Sequence, residues 1–381
     1  MRAIRRVGHI VEHLGQGGIP RVVLGVAEGM AAQGVETHIL MLKERVEFPV
    51  DPALELRTLA LDGLSRGSWF GKPLRRLGRG LLGPRRYAFL ASPWFCRQLA
   101  RELAGEPFDA LFFHGLPVVW PLHRWRGDNA LFVLHNIKSA QLRESSAALT
   151  RYQFRAFARV LAAKRLIAVS AGVKADLVAH FVVAPGAVAV VDNPFDTAAI
   201  RQRAQEAPRD CPPTGEFLLF VGRLAAQKRV DLLLRAHARA GLGMPLLILG
   251  DGPLRDEHEA LTRTLGLDGQ VRFLGFRDNP YPYMARARAL VMCSDFEGFG
   301  NVLVEALACG TRVVASRVGV AEALLQGELA AGLVPPGDEA ALAAKLGEVA
   351  EGALVPGDDT MLARFTPRAV ADAYLRLASE S

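Results

Sequence analysis

No hydrophobic run in these 381 residues approaches the ~18 needed to cross a bilayer. Cysteine is scarce. Cys96, Cys211, Cys293 and Cys309 are the whole set, with no Cys-x-x-Cys pair, and two of them lie in apolar runs as reduced cytosolic thiols do. Asp-x-Asp, one common way to hold a metal against a diphosphate, occurs nowhere. Acidic residues vanish altogether between 63 and 101. The first six residues carry three arginines but run straight into a strand and a glycine loop, which is not the pattern of a signal peptide. These absences point to a cytoplasmic protein.

Half of the residues are hydrophobic, and the length suits two domains of roughly 150–200 residues rather than one core. Charge is unevenly spread: residues 1–200 hold 26 Lys+Arg against 16 Asp+Glu, and the remainder 20 against 23. The acid-free stretch concentrates the excess, with nine basic residues (Arg66, Lys72, Arg75, Arg76, Arg79, Arg85, Arg86, Arg97 and Arg101). Trp69, Phe70, Tyr87, Phe89, Trp94 and Phe95 interleave with them. Basic residues mixed with aromatics and leucines suit an anionic membrane surface, here through 66–101. A nucleic-acid patch has the same composition, but no DNA- or RNA-binding motif accompanies it, so no nucleic-acid partner is expected.

The chain is organised around residues 289–315. An apolar strand over 289–292 leads into Ser294–Asp295–Phe296–Glu297–Gly298–Phe299–Gly300–Asn301, then a helix with Val302, Leu303, Ala306 and Leu307 on one face. Gly310 ends that helix and a strand follows. Small residues ahead of a helix N-terminus let a ligand approach the backbone, and the free N–H groups there favour an anion. Glu297 in the loop and Glu305 two turns on are two carboxylates beside an anion site, where sugar hydroxyls are the natural partner.

Glu297 and Glu305, with seven residues between them within Glu–Gly–Phe–Gly–Asn–Val–Leu–Val–Glu–Ala–Leu–Ala–Cys–Gly–Thr, resemble the signature of family 4 retaining glycosyltransferases. The likeness spans nearly the whole chain and is most specific over 217–325. It implies the α/β GT-B architecture: two Rossmann-like, doubly wound domains facing a cleft, with a C-terminal helix crossing back. The boundaries expected are 1–196 for an acceptor-binding domain, joined by 367–381, and 197–366 for a nucleotide-sugar-binding domain. Gly222–Arg223–Leu224 with Lys228 is similar to the family's diphosphate clamp. Gly250–Asp251–Gly252 resembles its nucleotide-side loop, and Gly275–Phe276 the segment that reads the base. The resemblance thus implies donor contacts by Gly17, Gly18, Arg223, Lys228, Gly250, Gly252, Phe276, Gly298, Phe299, Gly300, Asn301 and Glu305. Arg312 and the segment 320–322 depart from the family pattern without touching the two glutamates or the clamp.

The opening βαβ unit carries Gly15–Gln16–Gly17–Gly18, but Arg21 stands where a dinucleotide fingerprint needs its third glycine, and Lys43 follows the second strand. His114 and His135 each end a strand, and ligands of open α/β sheets gather at strand carboxyl ends. By resemblance His114 belongs to the catalytic centre, and His135 with Asn136 to the acceptor side. The family often has an acid after the first histidine; here it is Gly115.

A sugar transferase must stabilise a diphosphate leaving group. Without Asp-x-Asp, the fixed charge of Arg223 and Lys228 and a helix N-terminus take that role, so no metal and no cofactor are expected. Glu297 then supports positive character at the anomeric carbon, and Glu305 holds the ribose. The expected reaction is retaining transfer of a hexose or N-acetylhexosamine from a UDP-sugar to a lipid-linked saccharide or lipopolysaccharide or cell-surface glycan, at the inner face of the cytoplasmic membrane. The rivals are a GDP-mannose-dependent mannosyltransferase, a GT-B epimerase or phosphorylase, and a non-catalytic membrane-associated protein.

Overall fold

The computed structural model describes residues 3–15, 17–59, 61, 87–143, 147–162, 164–208, 216–357 and 360–380. Most of the basic segment, 62–86, and Gln16 of the glycine loop lie outside them. The chain divides into two compact units, Met1–Pro194 with Pro367–Ser381, and Phe195–Thr366.

The first unit is built on seven parallel strands: β1 (Arg6–Val11), β2 (Glu36–Met41), β3 (Glu55–Thr58), β4 (Ala110–His114), β5 (Ala130–Leu134), β6 (Arg165–Ala168) and β7 (Val188–Val190). Their order is β3-β2-β1-β4-β5-β6-β7. Strands β4 and β5 are buried along their whole length, which is why Leu111–Phe112–Phe113 and Leu131–Phe132–Val133 read as unbroken apolar runs. Strand order reverses between β1 and β4, so a crevice opens there at the strands' carboxyl ends.

Two glycines one helical turn apart shape this unit. In the helix Gly18–Ala31, a Cβ on Gly25 would stand 2.9 Å from Pro194 Cγ, and one on Gly29 only 2.3 Å from the Pro367 carbonyl oxygen. Gly29 therefore admits the start of the last helix, Pro367–Ser379. That helix buries Val370, Ala371, Tyr374 and Ala378, a stripe at i, i+1, i+4 and i+8. Tyr374 meets Phe112 edge to face at 5.2 Å, and the Arg165 guanidinium donates to the Leu377 carbonyl.

The second unit has six parallel strands: β8 (Leu218–Val221), β9 (Leu246–Leu249), β10 (Val271–Gly275), β11 (Ala289–Met292), β12 (Arg312–Ser316) and β13 (Leu333–Val334). They run in the order β10-β9-β8-β11-β12-β13, and its reversal lies between β8 and β11. Its core joins Phe220, Ile248, Val291 and Val314 of the strands to Leu233 of the helix Val230–Ala240 and Leu346 of the helix Glu339–Glu351. The helix Thr197–Ala204 opens this unit, capped by the Asp196 carboxylate, which accepts the Ala199 N–H.

Candidate functional site

The loops after β8 and β11 leave the sheet side by side at the second unit's reversal point, and three groups join them. The Asp295 N–H donates to the Gln227 carbonyl at 2.9 Å, and Gln227 Nε2 donates back to the Phe296 carbonyl at 2.6 Å. The Cys293 thiol donates to the carbonyls of Lys228 and Arg229 at 3.3 and 3.2 Å. Burial pushes that thiol up to about 12, so it remains S–H and serves as a donor. Arg229 sits in the left-handed region at φ 50°, which costs a non-glycine residue ~1–2 kcal/mol. Its guanidinium pairs with Asp231 at 3.2 Å and Asp295 at 2.9 Å, offsetting that strain, and the hydrogen bond to Asp231 is the main reason its pKa is raised.

The consequence of this stitching is one short contact. Lys228 Nζ lies 2.5 Å from Glu297 Oε1, which also accepts the Ser294 hydroxyl at 2.7 Å. Glu297 is 7% exposed, a nearly buried carboxylate held by one cation and one hydroxyl. Arg223, in the same loop as Lys228, is exposed and forms no ion pair among the described residues.

The rest of the loop is fixed from behind. Phe299 is buried against Phe195 and Phe365, at ring separations of 6.0 and 5.9 Å. Its carbonyl accepts the Val320 N–H at 2.7 Å, and a Cβ on Gly319 would come within 2.8 Å of Glu297 Cβ. Past Gly298, Gly300 at φ 101° turns the chain into the helix Asn301–Ala308, whose amino end has no side-chain cap. Glu305 is buried on that helix, and its charge adds to burial in raising the Cys309 thiol to about 12.

Gly250 and Gly252 have a packing reason of their own. A Cβ on Gly250 would stand 1.8 Å from the Gly222 carbonyl oxygen, and one on Gly252 2.3 Å from that of Leu224. They allow the loop after β9 to lie against the loop after β8. Phe276, just past β10, is half exposed, an uncovered aromatic at a strand's carboxyl end.

In the first unit, Gly17 (φ 139°) precedes the helix Gly18–Ala31, which also lacks a side-chain cap. His114 ends β4 and is buried with both ring nitrogens engaged: Nε2 lies 3.0 Å from His9 Nδ1, and Nδ1 3.3 Å from His135 Nε2. Burial takes His9 and His135 down to about 3, and burial with two imidazole neighbours takes His114 well below its ordinary value. The three rings are therefore neutral near pH 7. Gly115, which follows His114 directly, has φ 74°, and a Cβ there would stand 3.1 Å from Ile19 Cδ1. Asn136 lies in the loop after β5, which Asp176 anchors by accepting the N–H groups of Lys138 and Ser139 at 2.7 and 3.1 Å.

The structure thus binds Lys228 to Glu297 and His114 to His135. Sequence reasoning missed Ser294, Gln227, Arg229, Gly319, Asp176 and His9. Of these Ser294, Gln227 and Arg229 adjoin recognised motifs; His9 shares a strand face with Val7 and Val11, as any residue at that spacing would. Among the described residues, one cluster has metal-ligand spacing, Glu36, His38 and Glu55. Arg6 already supplies a cation there, 3.0 Å from Glu36 and 3.1 Å from His38 Nε2. Among those residues, too, no helix is long and apolar enough to cross a membrane.

Residues 16–199 match the model of Glycosyltransferase Family 4, and residues 215–352 that of Glycosyl transferases group 1. The chain is 29% identical over 313 residues to an N-acetylgalactosamine-N,N'-diacetylbacillosaminyl-diphospho-undecaprenol 4-alpha-N-acetylgalactosaminyltransferase of Campylobacter jejuni, covering 82% of this chain and 80% of the relative. It is 30% identical over 358 residues to a D-inositol 3-phosphate glycosyltransferase of Saccharomonospora viridis, covering 84% and 78%. Among solved structures it resembles the lipopolysaccharide outer core galactosyltransferase WaaB, with a TM-score of 0.70, 19% identity and 99% of each chain covered. With its paired Rossmann-like units of the GT-B class, the chain belongs to glycosyltransferase family 4 and is a glycosyltransferase.

Proposed function

We propose that the protein transfers a hexose or N-acetylhexosamine from a UDP-sugar, with retention of configuration and without a metal, to a lipid-linked saccharide or a lipopolysaccharide or cell-surface glycan. The observation that carries this reading is the Glu297 carboxylate, nearly buried and held by Lys228 and Ser294 at the second unit's reversal point. An ammonium has three N–H donors. Lys228 can therefore keep Glu297 and still offer donors to a phosphate oxygen, while Arg223 supplies a second cation. Positive charge then stands where the diphosphate leaves, and negative charge where the anomeric carbon becomes electron-poor. Glu305 takes the ribose, Phe276 and Gly275 the base, and the uncapped amino end at Asn301 an anionic group. Gly17 and Gly18 contact the diphosphate, and His135 with Asn136 serves the acceptor.

A lipid-linked acceptor is supported by the diphospho-undecaprenol glycan in the name of the Campylobacter jejuni relative. The basic aromatic segment, with an anionic surface as its partner, would keep the enzyme at the inner face of the membrane.

The test is a thermal-shift panel of UDP, GDP, ADP, dTDP and their common sugars, without divalent ions. A ligand at 100-fold its Kd adds ~2.7 kcal/mol. A shift with uridine nucleotides alone supports the reading, and one with guanosine nucleotides moves the donor to GDP-mannose. Sugar transfer that survives Glu297→Ala removes the site assignment.

A further inference from the structure

His9, His114 and His135 lie on a diagonal across three neighbouring strands. His9 pairs in register with Phe112 and bonds the residue two further along β4; His114 pairs with Val133 and bonds the residue two beyond it. The rings follow one another at centroid separations of 5.3 and 5.5 Å. Each neutral imidazole has one N–H and one lone pair, so the two hydrogen bonds admit two registers, running toward His135 or toward His9.

The inner end of the chain decides between them. His9 is fully buried, stacked on Phe112 at 5.0 Å, and among the described residues its Nε2 has no hydrogen-bond partner. A register running inward would leave an N–H stranded there, whereas the outward one strands only a lone pair, and buried orphan donors are the rarer case. With its proton on Nδ1, His9 donates to His114 Nε2. His114 then donates from Nδ1 to His135 Nε2, and His135 carries its own proton on Nδ1. His135 is half-buried, and among the described residues nothing bonds that Nδ1. Because His9 Nε2 leads nowhere, the chain cannot carry a proton away; it sets orientation instead.

We propose that His9 is a positioning residue which, through His114, fixes His135 as an Nδ1–H donor toward a carbohydrate or phosphate oxygen of the bound substrate. His114, with both nitrogens taken, is then a link of the chain rather than a base. This rests on the placement of His135 at the acceptor side proposed above.

The first test is nitrogen-15 NMR of the full-length protein labelled at histidine, which distinguishes the two tautomers directly. All three rings are expected as Nδ1–H; wild-type His135 observed as Nε2–H overturns the proposal without any variant. His9→Leu should release the register, mixing the tautomers of His114 and His135, and lower kcat/KM for transfer roughly tenfold, the worth of one neutral hydrogen bond. His9→Asn, whose amide N–H falls near Nδ1, should restore both readouts; failure to restore either one overturns the proposal. Tautomers unmoved by His9→Leu also overturn it. Tautomers that move with transfer unchanged overturn the role of His135 in substrate binding, and UDP binding to the second unit stays intact in that case.

Discussion

Replacing Lys228 by methionine keeps the stem and removes the charge, leaving Glu297 nearly buried with the Ser294 hydroxyl as its only remaining partner of the two. At 2.5 Å and an effective dielectric of about 20, opposite unit charges attract by roughly 7 kcal/mol, most of which desolvation cancels. Removing one partner of a fully buried pair costs ~3–5 kcal/mol. Here the lysine side chain is 22% exposed and Ser294 remains, so about 2 kcal/mol is the expected loss. Lys228→Met/Glu297→Gln should recover to within ~1 kcal/mol of the wild type, because the stranded charge is gone and the amide oxygen still accepts from Ser294. The four tryptophans, Trp69, Trp94, Trp120 and Trp125, all precede the second unit. Fluorescence would therefore follow the wrong half of the molecule, and the assay is urea-dependent hydrogen exchange over residues 289–308. A single variant as stable as the wild type, or a double variant as unstable as the single, refutes the argument.

Four further outcomes follow, three from the structure and one from the sequence. His9 and His135 titrate at about 3 when folded against about 6.5 when unfolded, so between those values only the unfolded chain takes up the proton. Stability should thus fall as pH drops below about 6.5, by ~1.4 kcal/mol per unit for each such histidine, and His9→Asn should flatten the melting-temperature curve between pH 5 and 7. Gly29→Ala puts a methyl 2.3 Å from the Pro367 carbonyl oxygen and should cost ~1–3 kcal/mol, with faster proteolytic release of the last helix. Gly347→Ala, in a helix with open space at its Cβ, should instead stabilise by ~0.5–1 kcal/mol. On the proposed membrane contact, changing Arg75, Arg76, Arg79, Arg85 and Arg86 to glutamine should remove ~1 kcal/mol of attraction apiece, so flotation with anionic vesicles should be lost; retained flotation ends the membrane reading.

The doubly wound architecture was legible because buried parallel strands are written as apolar runs such as 110–114, 246–249 and 289–292, each punctuated by a glycine-bearing loop. Glu297 and Lys228 stood out as members of separate motifs. Their bond did not, since they are 69 positions apart in sequence and only the adjacency of β8 and β11 brings them together. Gly250 and Gly252, expected as donor contacts by resemblance, also have a packing role that sequence could not show, since it cannot distinguish a glycine kept small for a ligand from one kept small for a neighbouring backbone. Arg229 gave no sign of a left-handed residue, for its conformation rests on Asp231, Asp295 and the Cys293 thiol. His9 stayed hidden for the same kind of reason, since a period-two pattern gives a strand's face but not what sits diagonally across it.

The last helix has a consequence for synthesis. The first unit's core is completed by Val370, Ala371 and Tyr374, made only after every residue of the second unit. At ~5–20 residues per second, a ribosome would leave residues 1–194 waiting roughly 10–40 s for that final piece. During the wait the groove at Gly25 and Gly29 and the edge of Phe112 stand uncovered, a surface for chaperones or for misassembly between nascent chains. The half of the protein that is born first is the last to close, and damage to the codons for 367–379 would be felt in residues 1–194.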